Sequence, residues 1–371
     1  MINYCQELIL LTNLYSDSDI IATIRTKFDS MKLQERIKLL QQLGNYMKGS
    51  DTGWINAKKK ANIENQWFTP QFIELATNRI ANDFLNSETL NKIAHRYNIL
   101  DINSDLKKVG VVMAGNIPLV GFHDWVCVFL TGNYSYIKLS SRDEALFKHI
   151  SETLLTWNEE MKEYIVISSM IPNCEAYIAT GSNNSSMYFE YYFRKYPSII
   201  RKNRTSVAIL DGSESTEQLE MLADDVFSYF GLGCRNVTKI YVPANYNFLP
   251  LLEAFKKYDY LSNNNKYKNN YEYNLALHIL NNRYYMTNGA ILLIEDKSIS
   301  SPIGQLHYEY YSDINNVKST LENNEQIQCI IGNDYVPFGS AQCPTFTDFA
   351  DGIDTMEFLM KLPENCRNLH C

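Results

Sequence analysis

The sequence predicts an α/β protein with a parallel sheet and a second α/β unit, and three observations support this prediction. Almost continuous apolar runs, such as residues 109–113, are typical of buried parallel strands, and they alternate with segments of helical periodicity. Turns rich in Gly, Ser and Asn follow these runs, where a parallel strand gives way to a helix. The strand–helix pattern then starts again after Asp211, which indicates a second α/β unit.

The first unit begins with a segment of about 100 residues whose periodicity is mainly helical, including the N-terminal stretch. A helix is expected from Asn116, because Asn is a favoured N-cap and Pro118 suits a first helical turn, and it should end at Gly132. Another helix is expected over 143–161. The expected strands are 109–113, 134–139, 164–168, 176–180 and 206–210.

The second unit is predicted to open with a helix in which apolar residues recur from Leu219 to Phe230 and which ends at Gly231. The stretch 262–273 is rich in Asn, Lys and Tyr and is predicted to be an exposed loop. A helix at 248–258 and strands at 238–242, 290–295 and 326–331 complete the prediction.

Composition and charge restrict the classes of function. The chain has 371 residues, of which 45% are hydrophobic, and its formal net charge is -8. This acidic balance argues against general binding to nucleic acid. The N-terminus lacks a basic region followed by a cleavage site, and no apolar run is long enough to span a bilayer, so we expect a cytoplasmic protein.

The eight cysteines are scattered and form no CxxC pair, so we expect free thiols and no metal site. Cys234 is the best candidate for a nucleophile. It follows the turn Gly231-Leu232-Gly233, and Arg235 beside it would favour the thiolate. Its local sequence is equally typical of a buried structural thiol at the end of a helix.

Other residues are candidates for binding or catalysis. The Asn116 amide could donate to an oxyanion, although the spacing alone favours a simple helix N-cap. The turn containing Gly181 and Ser182 could hold a phosphate at a helix N-terminus, but it does not follow the GxGxxG pattern. Lys138 and Ser140 lie at the carboxyl end of a predicted strand, where ligands of open α/β sheets bind. His123 and Asp124 are interpreted as structural.

Four segments together resemble the acyl-CoA reductase (LuxC) family, a branch of the aldehyde dehydrogenase superfamily. The resemblance covers about residues 105–360 in the right order. The segments are VGVVMAGNIPLVGFHDWVCVFLTGNYSYIKLSS (109–141), RKNRTSVAIL (201–210), YFGLGCRNVTKIYVP (229–243) and PFGSAQCPTFTDFADGIDTMEFL (337–359).

The resemblance implies an aldehyde dehydrogenase-like fold, with a nucleotide-binding parallel-sheet domain and a second α/β catalytic domain. Its implied domains are 1–211 for N-terminal helices and nicotinamide cofactor, 212–335 for the catalytic cysteine, and 336–371 for a segment returning to the cofactor domain or an oligomer interface. The implied roles are nucleophile for Cys234, oxyanion donor for Asn116, and cofactor contacts for Lys138, Ser140, Gly181 and Ser182.

The implied activity is reduction of a fatty acyl-CoA or acyl-carrier thioester to the aldehyde, through an acyl-enzyme on Cys234. The resemblance implies NADPH, with NADH as an alternative, and Lys138 and Arg142 are candidate cations for a 2′-phosphate. It also implies a homo-oligomer and an acyl-activating synthetase as a partner.

One departure from the superfamily bears on the direction of the reaction. Oxidising aldehyde dehydrogenases carry a glutamate base where this chain has Ile199-Ile200-Arg201-Lys202-Asn203-Arg204. Without that base an acyl-enzyme should persist long enough to be reduced, unless Glu190 or another acid replaces it. An oxidative aldehyde dehydrogenase, a non-redox acyl-transfer subunit and a catalytically silent scaffold remain as alternatives.

Overall fold

The computed structural model describes residues 30–363, so the helix predicted for the N-terminal stretch lies outside the described residues, as do Cys5, Cys366 and Cys371. A helical layer precedes the first strand. Asp51 caps the second helix of this layer and Thr69 the third, each by accepting hydrogen bonds from the first N–H groups of its helix. The layer consists of α1 (Leu33–Lys48), α2 (Thr52–Glu64), α3 (Pro70–Arg79), a π-helical turn (Ile80–Phe84) and α4 (Ser87–Arg96).

The first sheet has five parallel strands in the order β3-β2-β1-β4-β5. Its strands are β1 (Lys108–Val112), β2 (Tyr134–Lys138), β3 (Ile165–Ile167), β4 (Ala176–Thr180) and β5 (Ser198–Arg201). The intervening helices are α5 (Phe122–Leu130), α6 (Ala145–Trp157), α7 (Met161–Tyr164) and α8 (Asn183–Phe193). Because the chain runs outward from β1 in both directions, a crevice opens at the carboxyl ends of β1 and β4, where such sheets bind ligands.

The second sheet has six strands in the order β11-β6-β7-β10-β9-β8, and all of its pairings are parallel except that of β8 with β9. Its strands are β6 (Thr205–Ile209), β7 (Val237–Pro243), β8 (Met286–Thr287), β9 (Leu292–Glu295), β10 (Gln305–Tyr311) and β11 (Ile327–Ile331). Its helices are α9 (Thr216–Phe227), a 3-10 turn (Ser228–Gly231), α10 (Leu249–Ala254), a 3-10 segment (Phe255–Asn263), α11 (Asn265–Leu280) and α12 (Ile314–Glu322).

After β11 the chain returns to the first sheet and ends in a 3-10 turn (Ala350–Gly352) and α13 (Thr355–Met360). Phe346, Phe349 and Met356 share a hydrophobic core with β1, α5 and the N-terminal helices. The second sheet has its own core. The chain passes between the sheets at 202–204, since β6 already belongs to the second sheet and precedes the expected boundary at 211.

The helix expected from Asn116 begins instead at Phe122. Residues 116–121 form a turn in which Leu119 has a left-handed backbone, with φ of 57°. The Leu119 N–H bonds to the Asp143 carboxylate, and this interaction from another loop overrides the local helix signal of Asn116 and Pro118.

The prediction of a loop at 262–273 is wrong, because most of this stretch lies in α11. The side chain of Asn264 accepts from the N–H groups of Lys266 and Tyr267 and starts the helix. Tyr267 and His278 are buried on one face. The sequence prediction also omitted β10, whose pattern QLHYEYY mixes polar residues into a central strand.

None of the helices within residues 30–363 combines the length and the apolar character needed to cross a bilayer.

Candidate active site

Cys234 lies in a tight turn between the end of α9 and the start of β7. Before it, three consecutive residues have left-handed backbones: Tyr229, Phe230 and Gly231, with φ of 54°, 58° and 75°. Such a conformation is costly for the two aromatic residues and persists only where the surroundings impose it. The Phe230 ring packs edge-on against Phe72 of α3, with ring centroids 5.1 Å apart. The N-terminal helices therefore support the turn that carries the cysteine.

Asn236 holds this turn from the inside. Its side chain is fully buried and accepts from the Gly233 N–H at 2.8 Å. Its amide donates to the carbonyl oxygens of Asp225, Val226 and Ser228, at 3.0, 3.3 and 2.8 Å. One side chain thus satisfies the last carbonyls of α9 and fixes the residue before Cys234.

Asn116 contacts the same turn from the first sheet. Its Nδ2 donates to the carbonyl oxygen of Leu232 at 2.7 Å, two residues before Cys234. Ile117 lies against Gly233, where an added Cβ would be 3.7 Å from Ile117 Cγ2. A primary amide has two N–H groups, so Asn116 can keep this bond and still donate to an oxygen bound beside the cysteine.

Cys234 is a partly buried residue, and its thiol is free of any disulfide. Burial raises the pKa of Cys234 to about 11. The positive charges of Arg235 and Arg201 lower it, and the negative charge of Asp351 raises it. The group is therefore mainly a thiol at neutral pH.

A second thiol lies on the far side of the Cys234 backbone. Ser206 Oγ donates to the Cys234 carbonyl oxygen at 3.1 Å and is also 3.1 Å from the Sγ of Cys329. Ser206 also accepts from the Cys329 N–H at 3.2 Å. These contacts attach the cysteine turn to β6 and β11.

The candidate cofactor residues lie at the carboxyl edge of the first sheet. Lys138 ends β2, pairs with Val112 of β1, and has an exposed side chain. Ser140 follows it and lies against Gly115, where an added Cβ would be 2.6 Å from Ser140 Oγ. Gly181 and Ser182 follow β4, the neighbour of β1 on the other side.

This edge carries groups that can bind a dinucleotide. Ser182 caps α8, an 11-residue helix, by accepting from the Ser185 N–H at 3.3 Å. The preceding N–H groups, of Asn183 and Asn184, have no intrahelical partner and can bind an anion. The exposed ammonium of Lys138 supplies a positive charge near the adjoining strand. Hydroxyl, ammonium and backbone N–H groups are the donors that ribose and phosphate oxygens need.

His123 and Asp124 do not form a catalytic pair. His123 is enclosed by Phe84, Phe346 and Phe349, and its Nε2 is 2.9 Å from the Phe346 carbonyl oxygen. Burial lowers the pKa of His123. Asp124 bonds to Arg201 instead, at 2.6 Å.

Arg201, at the end of β5, connects three parts of the protein. It pairs with Asp124 of α5, donates to Thr355 Oγ1 at 2.8 Å, and bonds to the carbonyl oxygen of Ala350. Burial acts to lower the pKa of Arg201, but the charge and the hydrogen bond of Asp124, together with the charge of Asp351, outweigh burial and raise it, so the guanidinium stays charged.

Several residues of this site escaped the sequence analysis. Asn236, Ser206, Cys329 and Asp351 were not selected, because no local motif distinguishes them. Asp351 has a left-handed backbone, with φ of 60°, and its carboxylate pairs with Arg204 at 3.2 Å. Glu190, which the sequence analysis considered as a replacement for the glutamate base, is exposed on α8 and pairs with Lys202 at 2.7 Å. Within residues 30–363, no group of three His, Cys, Asp or Glu side chains could hold a metal ion.

Solved structures with the same fold are aldehyde dehydrogenases and related enzymes. Succinic semialdehyde dehydrogenase from Streptococcus pyogenes, in complex with NADP+, is 14% identical, with a TM-score of 0.60 over 85% of this chain and 82% of that one. An NADP-dependent enzyme from E. coli is 12% identical, with a TM-score of 0.61 over 83% and 76%. A Mycobacterium tuberculosis aldehyde dehydrogenase complexed with NAD+ is 14% identical, with a TM-score of 0.58 over 81% and 74%.

These similarities show the fold, which is the α/β, aldehyde dehydrogenase-like architecture predicted from the sequence. No curated protein sequence matches this chain. The family profile described as acyl-CoA reductase (LuxC) matches residues 19–248, more than half of the chain, including Asn116, Lys138, Gly181 and Cys234. The chain therefore belongs to the LuxC acyl-CoA reductase family, whose members are oxidoreductases that act on acyl groups.

Proposed function

We propose that this protein reduces a fatty acyl-CoA, or another acyl thioester, to the aldehyde with NADPH or NADH, through an acyl-enzyme on Cys234. The observation that carries the proposal is the bond from Asn116 Nδ2 to the carbonyl oxygen of Leu232. It joins the loop after β1, at the carboxyl edge of the first sheet, to the turn that carries the partly buried Cys234.

Acylation requires a nucleophile and a stabilised oxyanion. Cys234 attacks the thioester carbonyl, the C–S bond to CoA breaks, and the proton of the Cys234 thiol goes to the departing CoA thiolate. The second Asn116 N–H and the Cys234 backbone N–H stabilise the negative charge on the carbonyl oxygen. When bound, the reduced nicotinamide supplies the hydride that converts the acyl group to the aldehyde level. Departure of the aldehyde releases the Cys234 thiolate, which takes a proton from water and returns to the thiol form.

The cofactor is proposed to bind along the edge formed by Lys138, Ser140, Gly181 and Ser182. The free N–H groups at the start of α8 would hold the pyrophosphate, and Lys138 the adenosine side. Arg142 is exposed beside Ser141, so it is a second candidate cation for the 2′-phosphate of NADPH.

The surroundings of Arg201 favour reduction over hydrolysis of the acyl-enzyme. The end of β5 presents a guanidinium held by Asp124, and a guanidinium cannot act as the base that activates water. The rival oxidative activity needs such a base. This argument also supports an acyl-enzyme that survives until the hydride arrives.

We further propose a cytoplasmic homo-oligomer that can receive its acyl group from an acyl-activating synthetase, as the family resemblance implies. Light scattering of the purified protein tests the oligomeric state. An oxidative aldehyde dehydrogenase, an acyl-transfer subunit and a silent scaffold are the competing functions.

The direct test is cofactor consumption by purified protein with a long-chain acyl-CoA and either NADPH or NADH. Wild-type protein should oxidise the cofactor and release aldehyde, and Cys234→Ala should lose both activities because no acyl-enzyme can form. Cys343→Ala is the matched control, since Cys343 is an exposed thiol outside the turn.

Each rival gives a different pattern in this assay. Acylation of Cys234 without cofactor consumption would favour the acyl-transfer subunit. Formation of free acid from aldehyde and oxidised cofactor would favour the oxidative enzyme. Full reductase activity in Cys234→Ala would exclude the proposed mechanism.

A further inference from the structure

Asp143 is a buried carboxylate that none of the roles above uses. It lies at the end of the loop that follows β2, and its own N–H bonds to the Ser140 carbonyl oxygen at 2.9 Å. Its side chain is almost fully buried, with the residue 7% exposed. Oδ2 accepts from the Leu119 N–H at 2.6 Å, while Oδ1 has no hydrogen-bond partner among the described residues. A half-satisfied buried carboxylate is costly, so its one bond has structural importance.

The partner of that bond lies in the turn that carries Asn116. Leu119 is three residues further on, is buried, and has the left-handed φ of 57°. A non-glycine residue keeps such a backbone only when neighbouring groups impose it. The Leu119 N–H donates to the Asp143 carboxylate. This bond holds the turn in which the Asn116 amide donates to the Leu232 carbonyl oxygen.

The two loops touch at a second point. Gly115 lies against Ser140 so closely that a Cβ would overlap its hydroxyl. The segment 115–119 contains Asn116, the proposed donor to the oxyanion, and is thus held at both ends by the segment 140–143. The latter begins two residues after Lys138, on the proposed cofactor edge. A displacement of one loop must therefore move the other.

We propose that Asp143 is a positioning residue that orients the Asn116 amide towards the acyl oxygen on Cys234. Through the same contact it links this orientation to the position of the loop after β2, on the proposed cofactor edge. This inference rests on the proposed function. It assigns Asp143 no contact with substrate or cofactor; the carboxylate acts through the Leu119 N–H.

The test compares two reactions of the same thiol in the cofactor-free protein. Acylation by a long-chain acyl-CoA develops an oxyanion, whereas alkylation by iodoacetamide does not. Asp143→Ala should slow acylation of Cys234 by roughly 100-fold, because a small misplacement of a catalytic group has effects of this size. Alkylation should stay within about twofold, since it needs no oxyanion donor. Mass spectrometry of the Cys234 peptide measures both rates.

Matched variants separate positioning from general damage. Asp143→Asn keeps an oxygen that accepts from Leu119 and should recover most of the acylation rate. Asn116→Ala alone should lose roughly 100-fold to 1000-fold. Adding Asp143→Ala to Asn116→Ala should cost little more, because both changes remove the same function. If Asp143→Ala does not fold, Asp143→Ser, whose hydroxyl is too short to replace the carboxylate, provides the same comparison.

Equal loss of acylation and alkylation in folded Asp143→Ala would overturn the inference, as would full additivity with Asn116→Ala. An Asp143→Asn variant as slow as Asp143→Ala would also overturn it. If wild-type protein is not acylated by any thioester, the proposed function itself fails and the inference fails with it. That result is distinct, because it appears before any variant is compared.

Discussion

At the scale of single residues, burial and the nearby charges together set how much of Cys234 is thiolate. Burial dominates and raises the pKa of the thiol to about 11. Asp351 adds to this effect, while Arg235 opposes it. Arg235 is held in place by donating to the Asp348 carbonyl oxygen at 3.0 Å. The reactivity of the cysteine is therefore set by residues from the C-terminal segment as well as by its own turn.

Asp351→Asn should make Cys234 more reactive. Removing the negative charge lowers the pKa of the thiol, so a larger fraction is thiolate at pH 8 and alkylation by iodoacetamide should be roughly twofold to tenfold faster. Arg235→Gln should act in the opposite direction. The rate of Cys234 alkylation against pH, followed by peptide mass spectrometry, checks both signs. Equal rates in all three proteins would show that these charges do not control the thiol.

At the scale of elements, the turn between α9 and β7 depends on one buried amide. Asn236 closes the end of α9 and holds Gly233, while Phe72 and Trp67 pack on Phe230 from outside. The C-terminal loop is attached to the same helix, since the Asp225 carboxylate accepts from the N–H groups of Gly339 and Ala341 at 2.7 and 2.9 Å. The turn is consequently a junction of three elements.

Asn236→Ala should lower the free energy of unfolding by about 2–4 kcal/mol, because it leaves several buried polar groups without partners. Asn236→Asp should be no better, since a carboxylate cannot donate to the three carbonyl oxygens. The control is Asn270→Ala, at a partly exposed residue of α11 whose amide makes one exposed bond to a carbonyl oxygen, and it should be nearly neutral. Urea unfolding measures all three; equal stability of the Asn236 and Asn270 variants would contradict the assignment.

At the scale of the whole molecule, the ion pair of Arg201 with Asp124 joins the first sheet, α5 and the C-terminal segment. Both side chains are nearly inaccessible, at 4% and 9%. Burial of such a pair adds little net stability, but removal of one partner leaves an unpaired charge in the interior.

Arg201→Met alone should therefore destabilise the protein by about 3–5 kcal/mol, and so should Asp124→Leu. The double variant should be clearly more stable than the sum of the two single effects predicts, because it leaves no unpaired charge. Urea unfolding of the four proteins forms the double-mutant cycle. Additive effects would show that the two side chains are not coupled.

The sequence by itself determined the kind of fold, because buried parallel strands and their following turns leave a local pattern. β4 was predicted at its observed bounds, and β1 and β7 within one residue. The motif around Asn116 and the turn at Cys234 were also recognisable, since glycines and a cysteine at fixed spacing carry the family resemblance.

Only the tertiary structure decided how those motifs meet. The helix α5 was predicted to begin at Asn116 but begins at Phe122, because the Asp143 carboxylate from another loop accepts from the Leu119 N–H. Asn236, Ser206, Cys329 and Asp351 act through partners far away in the chain, so no local pattern marks them. Local propensity reports the interactions of neighbours in sequence, whereas an active site is built from bonds between loops that only the packed sheets bring together.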